Sequence, residues 1–283
     1  MALGAFFFSL MSLFVKLAGE RLPSSQIVLA RAVVSLVLSY AWLHRARIPV
    51  WGNRRRLLIA RGLFGFGGLM CFYYALVHLP LADATVIQYT NPVFVALLAA
   101  WLLRESMGRR EVLCVLAGLA GVVVIARPSF LIPAAATPLA PFAVGIALLG
   151  AVFSAAAYVT VRRLGESEHP LVIVFYFPLV TVPIVVPIVA PVALWPTPVE
   201  WLLLLAVGVS TQIAQIYMTR GLQLERAGRA TAVGYLQIVF ATVWGIAFFA
   251  EIPDVWIILG AVIVVGSTFF LTRPASGPAP RTT

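Results

Sequence analysis

Charged side chains are scarce in this chain. Only 11% of its 283 residues are Asp, Glu, Lys or Arg, whereas soluble proteins carry about a quarter. Hydrophobic residues make up 62% of the chain, and the mean hydropathy is +1.02. This composition excludes an ordinary soluble domain. Apolar runs close to the roughly 20 residues that cross a bilayer follow one another with short connections, so the sequence indicates an integral membrane protein.

Cysteine and histidine are also rare. The two cysteines, Cys71 and Cys114, lie inside apolar runs without metal-ligand spacing, which argues against a disulfide framework or a zinc site. His44, His78 and His169 all fall at the ends of apolar runs, and no nucleophile and base stand at usable spacing. We therefore expect a protein that is not an enzyme and that uses no metal or other cofactor.

The chain repeats itself at a constant spacing of 146 residues, without a gap. The identities that carry most weight in so apolar a chain involve glycine and charged residues: Gly19-Glu20 with Gly165-Glu166, Glu105 with Glu251, and Arg127-Pro128 with Arg273-Pro274. Internal duplication in a hydrophobic chain is typical of secondary transporters, whose substrate site lies where the repeats meet.

The apolar runs predict an all-α membrane fold with ten transmembrane helices in two five-helix repeats. Residues 1–127 form the first repeat, 128–141 a linker, 142–272 the second repeat and 273–283 a cytoplasmic tail. The predicted spans cover residues 2–18, 25–43, 57–77, 84–103, 112–126, 139–161, 171–192, 201–219, 230–250 and 255–271.

The arginines predict the orientation of these spans. They cluster in the connections between spans two and three, four and five, six and seven, and eight and nine, and short cytoplasmic loops retain positive charge. Both termini are therefore expected in the cytoplasm. Because each repeat has an odd number of spans, the second repeat is inverted relative to the first. The arginines of the cytoplasmic connections explain the net charge of +10. The expected partner is therefore the lipid bilayer, and no binding of nucleic acid is expected.

Polar side chains inside the spans are the candidates for substrate binding, because they are costly in hydrocarbon and usually face a cavity. In the fourth span, helical spacing places Gln88, Asn91, Pro92 and Val95 on one face. Pro92 removes a backbone hydrogen bond and is a candidate hinge. The candidate substrate-binding residues are Ser12, Gln88, Tyr89, Asn91, Ser154, Tyr158, Thr211, Gln215, Tyr235 and Gln237. The alternative is that such groups only join helices together.

Two charged residues have competing interpretations. Arg31, about two turns inside the second span, could hold a substrate carboxylate, but snorkelling to the outer headgroups is favoured. Glu105 closes the fourth span and is expected to have a structural role at a loop. Arg104, Arg109 and Arg110 are candidate partners for its charge.

Several motifs resemble the EamA-type drug/metabolite transporters over essentially the whole chain. Each fourth span of a repeat ends in an apolar run followed by glutamate, at Glu105 and Glu251. The stretch of residues 81–85, Leu-Ala-Asp-Ala-Thr, the Asn91-Pro92 step and the glycines of the fifth span are also similar to that family. The second repeat departs from the first by having Ile238 in place of Pro92.

The resemblance implies a ten-helix carrier in the bacterial inner membrane that exports a small molecule by alternating access. Among family members the sequence is most similar to the aromatic amino acid exporters. We therefore expect the substrate ring to stack on Tyr158 or Tyr235 while Asn91, Gln215 and Gln237 hold its polar end. Threonine or homoserine, cysteine, nucleosides and drugs remain alternative substrates, and a lipid flippase or a channel remains an alternative class. A monomer is the expected oligomeric state.

Overall fold

A computed structural model describes residues 1–79, 81–105, 107–126, 140–249 and 255–272 of the protein. Within these ranges the regular structure is helical throughout. The predicted tail, most of the predicted linker and Glu251 lie outside the described residues. The helices are α1 (Ala2–Ala18), α2 (Ser24–Arg45), α3 (Arg55–His78), α4 (Leu81–Gln88), α5 (Asn91–Leu102), α6 (Arg109–Ala126), α7 (Pro141–Leu164), α8 (Pro170–Val189), α9 (Pro198–Leu224), α10 (Ala227–Ala232), α11 (Leu236–Phe249) and α12 (Val255–Thr272).

These helices form ten membrane spans. Among the described segments, seven have both the length and the hydropathy of a membrane crossing. Two of the seven are composite, since α4 and α5 share the fourth span and α10 and α11 share the ninth. The apolar helices α1 and α12, together with α6, which begins with the charged residues Arg109, Arg110 and Glu111, complete the set.

The packing of the helices follows the sequence repeat. Helix α3 packs on α7, and helix α1 packs on α9. Because α1 is equivalent to α7 and α3 to α9, mapping one repeat onto the other converts the first contact into the second. The pairs α2 with α8 and α6 with α12 each map onto themselves. Such a self-mapping set of contacts is what a pseudo-two-fold axis between inverted repeats produces.

Residues that occupy equivalent positions in the two repeats meet near this axis. The rings of Tyr89 and Tyr235 are 6.0 Å apart between centroids. The guanidinium carbon of Arg31 lies 5.8 Å from the ring centroid of Phe177. Both pairs stand 146 residues apart in sequence, so the interface between the repeats is built from matching positions.

Glycines let the paired helices approach closely. A Cβ added to Gly121 in α6 would lie 2.9 Å from the carbonyl oxygen of Gly260 in α12. A Cβ added to Gly150 in α7 would lie 2.8 Å from the Cβ of Cys71 in α3. Small residues at such crossings maximise van der Waals contact between membrane helices.

The connections separate into two ends of the molecule. The end that holds the arginine-rich connections is called the basic end. At this end Arg162 Nε donates to Glu105 Oε1 over 2.8 Å. At the opposite end, Arg21 Nε donates to Glu200 Oε1 over 2.7 Å. Glu105 therefore has a structural role at a loop, but the candidate pairing with a neighbouring arginine was wrong. Its partner comes from the other repeat, which sequence proximity could not reveal.

Candidate functional site

The fourth and ninth spans are both interrupted, and at equivalent positions. Helix α4 ends at Gln88 and α5 begins at Asn91. Helix α10 ends at Ala232, and a 3-10 turn, Val233–Tyr235, precedes α11. The fourth span is therefore a single crossing built from two helices. The hydroxyl of Thr90 donates to the carbonyl of Ile87 over 2.5 Å, a local bond that competes with regular helical pairing.

Pro92 lies just after the first interruption, as the second residue of α5. A proline in the first turn loses no intrahelical hydrogen bond, because that backbone N–H would be free in any case. The second repeat is interrupted at the same place although Ile238 replaces the proline. The break in the second repeat therefore does not depend on a proline, and the role of Pro92 as a hinge stays a prediction.

A cavity of about 220 Å³ lies between the two interruptions and the helices α1, α7 and α9. Six of the residues expected at the site line it: Gln88, Tyr89, Asn91, Pro92, Tyr158 and Gln237. Apolar side chains complete the wall, among them Phe8, Phe72 and Met218. The cavity therefore has aromatic and amide surfaces contributed by both repeats.

The amide groups in the cavity have unused hydrogen-bonding capacity. Gln88 Nε2 donates to Ser154 Oγ over 3.2 Å, while Gln88 Oε1 is buried without a partner. Within the described part of the chain, the side chains of Asn91 and Gln237 make no hydrogen bond. Ser154 thus orients Gln88 from behind the wall, and the other amides face an open space. Unpaired buried amides gain free energy when a ligand supplies the missing partner.

Four other expected site residues lie away from this cavity. Ser12 donates to the carbonyl of Phe8 over 3.0 Å, and Thr211 donates to that of Val207 over 2.7 Å. Gln215 accepts a hydrogen bond from Arg61. The hydroxyls of Ser12 and Thr211 are therefore bonded to their own helices, and the Gln215 amide is bonded to Arg61 rather than facing the cavity. Val95, which was expected on the same face as Asn91, is fully buried in the apolar core and does not line the cavity.

Tyr235, the fourth of these residues, packs away from the cavity against α6. A Cβ added to Gly118 would lie 2.6 Å from its ring. The side chain is 1% exposed, and its hydroxyl has no hydrogen-bond partner. Tyr158 is therefore the tyrosine of the expected stacking pair that reaches the cavity in this conformation.

Sequence reasoning overlooked Arg61. This residue is 2% exposed and lies inside α3, where its Nη2 donates to Gln215 Oε1 over 3.0 Å. The signal was available, because Arg61 follows the loop arginines by more than a turn and stands within the apolar span. Arg31 is also turned inward, with Nη1 3.7 Å from the sulfur of Met11. The favoured interpretation of Arg31 as a snorkelling residue was wrong.

The sequence profile of the EamA-like transporter family matches residues 1–127 and 141–273. This chain belongs to the EamA-like transporter family. A pseudopaline exporter of Pseudomonas aeruginosa is 34% identical to this EamA-like transporter over 97% of the chain and 95% of the relative. Solute carrier family 35 member G1 of Homo sapiens is 31% identical over 94% of the chain and 75% of the relative.

A solved crystal structure shares the fold of this EamA-like transporter. It superimposes with a TM-score of 0.80 and covers 95% of this chain and 96% of its own, at 21% sequence identity. The family match and these relatives identify a multi-pass membrane protein that transports a small molecule.

Proposed function

We propose that this EamA-like protein is a secondary transporter that exports small amphiphilic metabolites by alternating access, with aromatic and other hydrophobic amino acids as its substrate class. The observation that carries the proposal is the pair of helix interruptions at equivalent repeat positions beside one cavity. Discontinuous helices at a repeat interface free backbone groups for substrate binding in secondary transporters.

The lining of the cavity supports an amphiphilic substrate. Phe8, Phe72 and Tyr158 offer apolar and aromatic surface, on which a substrate ring would pack. The amides of Gln88, Asn91 and Gln237 offer donors and acceptors for its polar end. In this assignment Tyr89 and Pro92 shape the first interruption, and Ser154 positions Gln88.

The remaining expected residues are assigned to the transport pathway in its other conformation. Ser12, Thr211, Gln215 and Tyr235 belong to helices that meet at the repeat interface. A rocking of one repeat against the other would change which faces of these helices line the cavity. We place the basic end and both termini in the cytoplasm of a bacterial inner membrane, because short basic connections are retained there.

Counterflow in proteoliposomes tests the proposal. Vesicles containing the purified protein are preloaded with unlabelled Phe, Tyr, Trp, Thr, Cys or pseudopaline, and the uptake of each labelled counterpart is followed. A carrier concentrates label transiently against its gradient, whereas a channel gives no such overshoot. Protein-free vesicles and vesicles preloaded with buffer are the controls.

The expected result is saturable counterflow for Phe, Tyr and Trp. Counterflow of Thr, Cys or pseudopaline alone would retain the carrier and overturn the aromatic substrate class. Equilibration of label without an overshoot would indicate a channel, and no movement of any of these compounds would overturn the proposed substrate class. Efflux from right-side-out vesicles, compared with uptake, then determines whether transport runs outward.

A further inference from the structure

Two arginine side chains meet at one aromatic ring inside the membrane. The guanidinium carbon of Arg61 lies 4.9 Å from the ring centroid of Phe177, and that of Arg31 lies 5.8 Å from the same centroid. Two like charges are therefore held near one ring. Like charges held together in a low-dielectric interior are unfavourable unless something compensates them.

Both arginines are deep within their helices. Arg61 is six residues after Arg55, the first residue of α3, and therefore lies about 9 Å inside the helix at 1.5 Å per residue. Arg31 is seven residues after Ser24, the start of α2, which gives about 10 Å. Because α3 begins at the basic end and α2 at the opposite end, the two side chains converge on the middle of the bundle.

Protein carboxylates do not compensate this pair within the described part of the chain. The carboxylates that the structure describes all lie in connections or in first turns of helices, and their ion pairs are with Arg21, Arg162, Arg226 and Arg229. Phe177 supplies only the attraction of its ring face, which is weaker than an ion pair. The fold therefore maintains a positive site without a described counter-ion.

Gln215 holds the guanidinium of Arg61 in place, and at least the Nε donor is left without a partner. Nη2 is bonded to Gln215, and Nε is buried without a partner. Gly65, one turn further along α3, provides the space, because a Cβ there would lie 2.9 Å from Nη1 and 2.9 Å from the Phe177 ring. A rigidly held guanidinium with an unused N–H matches the geometry of a carboxylate.

Arg61 adjoins the cavity described above. Gln215, its hydrogen-bond partner, lies one turn before Met218, which lines the cavity. Tyr158 also lines the cavity and is close enough to Arg61 to interact with it electrostatically. Arg61 itself does not line the cavity in this conformation.

We infer that Arg61, with Arg31 as the second positive charge, is the subsite that binds the carboxylate of the transported metabolite. The inference rests on the proposed function, which it narrows to substrates that carry an anionic group. The aromatic or apolar end of the substrate stays among Phe8, Phe72 and Tyr158. Its carboxylate reaches Arg61 when movement of Tyr158 opens the wall between them, and it neutralises the repulsion between the two arginines.

The test compares two probes that differ only in charge, 3-phenylpropionate and 3-phenylpropanamide. Their affinities for the purified full-length protein are measured by the shift of thermal unfolding with probe concentration. The wild-type protein should bind the carboxylate about tenfold or more tightly than the amide, the size expected of a charge-assisted hydrogen bond. Arg61→Gln should abolish this preference, and Arg31→Gln should reduce it.

Matched variants separate the subsite from general effects of charge and folding. Arg163→Gln removes an exposed arginine from the same protein and should keep the full preference. Gly65→Ala keeps every charge but places a methyl group against Nη1 of Arg61, so it should weaken carboxylate binding selectively. If Arg61→Gln does not fold, the comparison of Gly65→Ala with wild type decides the question.

The outcomes distinguish this inference from the proposed function. Equal affinity of wild type for both probes, or a carboxylate preference unchanged in Arg61→Gln and Gly65→Ala, would overturn the inference. A loss of preference in Arg163→Gln equal to that in Arg61→Gln would also overturn it. A loss of carboxylate preference that is confined to the Arg61, Arg31 and Gly65 variants supports the inference. This holds even if amino acid counterflow is absent and the proposed substrate class is wrong.

Discussion

The carboxylate of Glu105 joins the two repeats at the basic end by accepting a hydrogen bond from Arg162 Nε over 2.8 Å. Its other oxygen accepts from the backbone N–H of Ala227 over 2.9 Å, at the start of the ninth span. One acidic side chain therefore connects the ends of the fourth and sixth spans with the beginning of the ninth. The equivalent position in the second repeat, Glu251, lies outside the described residues.

Removal of the Glu105 charge should destabilise the protein. Glu105→Gln loses the ion pair with Arg162, whose side chain is 27% exposed. Charge-assisted hydrogen bonds of this kind contribute about 1.5–3 kcal/mol, which corresponds to a decrease in Tm of about 3–10 °C. Thermal unfolding in detergent measures the change, with Arg163→Gln as the control. A Tm equal to that of wild type would show that the pair adds no stability.

The contact between Gly118 and the Tyr235 ring should tolerate no added methyl group. Gly118→Ala would bring a Cβ to 2.6 Å from the ring, and overpacking of this kind costs about 1–3 kcal/mol. Gly266→Ala is the matched control in a neighbouring helix, because its Cβ would meet nothing within 4 Å. Gly266→Ala should be neutral or stabilising, by up to about 1 kcal/mol. Equal stability of the two variants by thermal unfolding would contradict this account of the contact.

The two amides at equivalent repeat positions should contribute to substrate affinity in a similar way. Asn91→Ala and Gln237→Ala each remove a cavity-lining hydrogen-bonding group. A neutral hydrogen bond contributes about 0.5–1.5 kcal/mol, so each should raise the KM for counterflow about two- to tenfold. Thr242→Ala is the control, since that hydroxyl donates to the carbonyl of Ile238 in its own helix. An unchanged KM in both amide variants would remove them from the binding site.

His169 should make the stability of the protein sensitive to acid. It caps α8 by accepting a hydrogen bond from the N–H of Leu171 over 3.2 Å, which requires an unprotonated ring nitrogen. Burial, and then the charge of Arg220, lower the pKa of His169 below its usual 6.5. The folded state therefore binds protons less readily than the unfolded state, and stability should fall as the pH drops below about 6.5.

The variant His169→Asn separates the cap from its titration. Asparagine is a good N-cap residue at every pH, so the variant should retain stability near neutral pH and lose part of the decrease between pH 7 and pH 5. Unfolding temperatures at the two pH values measure this difference. An identical decrease in wild type and variant would assign the acid sensitivity to other groups.

The sequence predicted the architecture because its signals are local and repeated. Apolar length and the register of 146 residues indicated ten spans in two repeats, and the structure confirms them. Helical periodicity placed Gln88 and Asn91 on one face, and both line the cavity. A periodic pattern does not reveal, however, that one helix ends at Gln88 and the next begins at Asn91.

The less predictable features depend on contacts distant in sequence. Glu105 pairs with Arg162, 57 residues away, although three arginines are closer along the chain. In the sequence, Arg61 lies close to the arginines of the loop between spans two and three, so its burial was overlooked. Its buried environment is formed by Phe177 and Gln215 from the other repeat. Such tertiary partners decide whether an arginine snorkels or turns inward, and they follow only from the packed fold.

The central claim, that one cavity between the repeats is opened to each side of the membrane in turn, is tested most directly at Gly234. This residue lines the cavity, and a side chain there meets nothing within 4 Å. Gly234→Cys is introduced into a protein that carries Cys71→Ser and Cys114→Ser, and a membrane-impermeant thiol reagent is applied to vesicles of each orientation. The account predicts labelling from either side, without passage of the reagent to a thiol trapped in the lumen. Labelling from one side alone, under all substrate conditions, would contradict it.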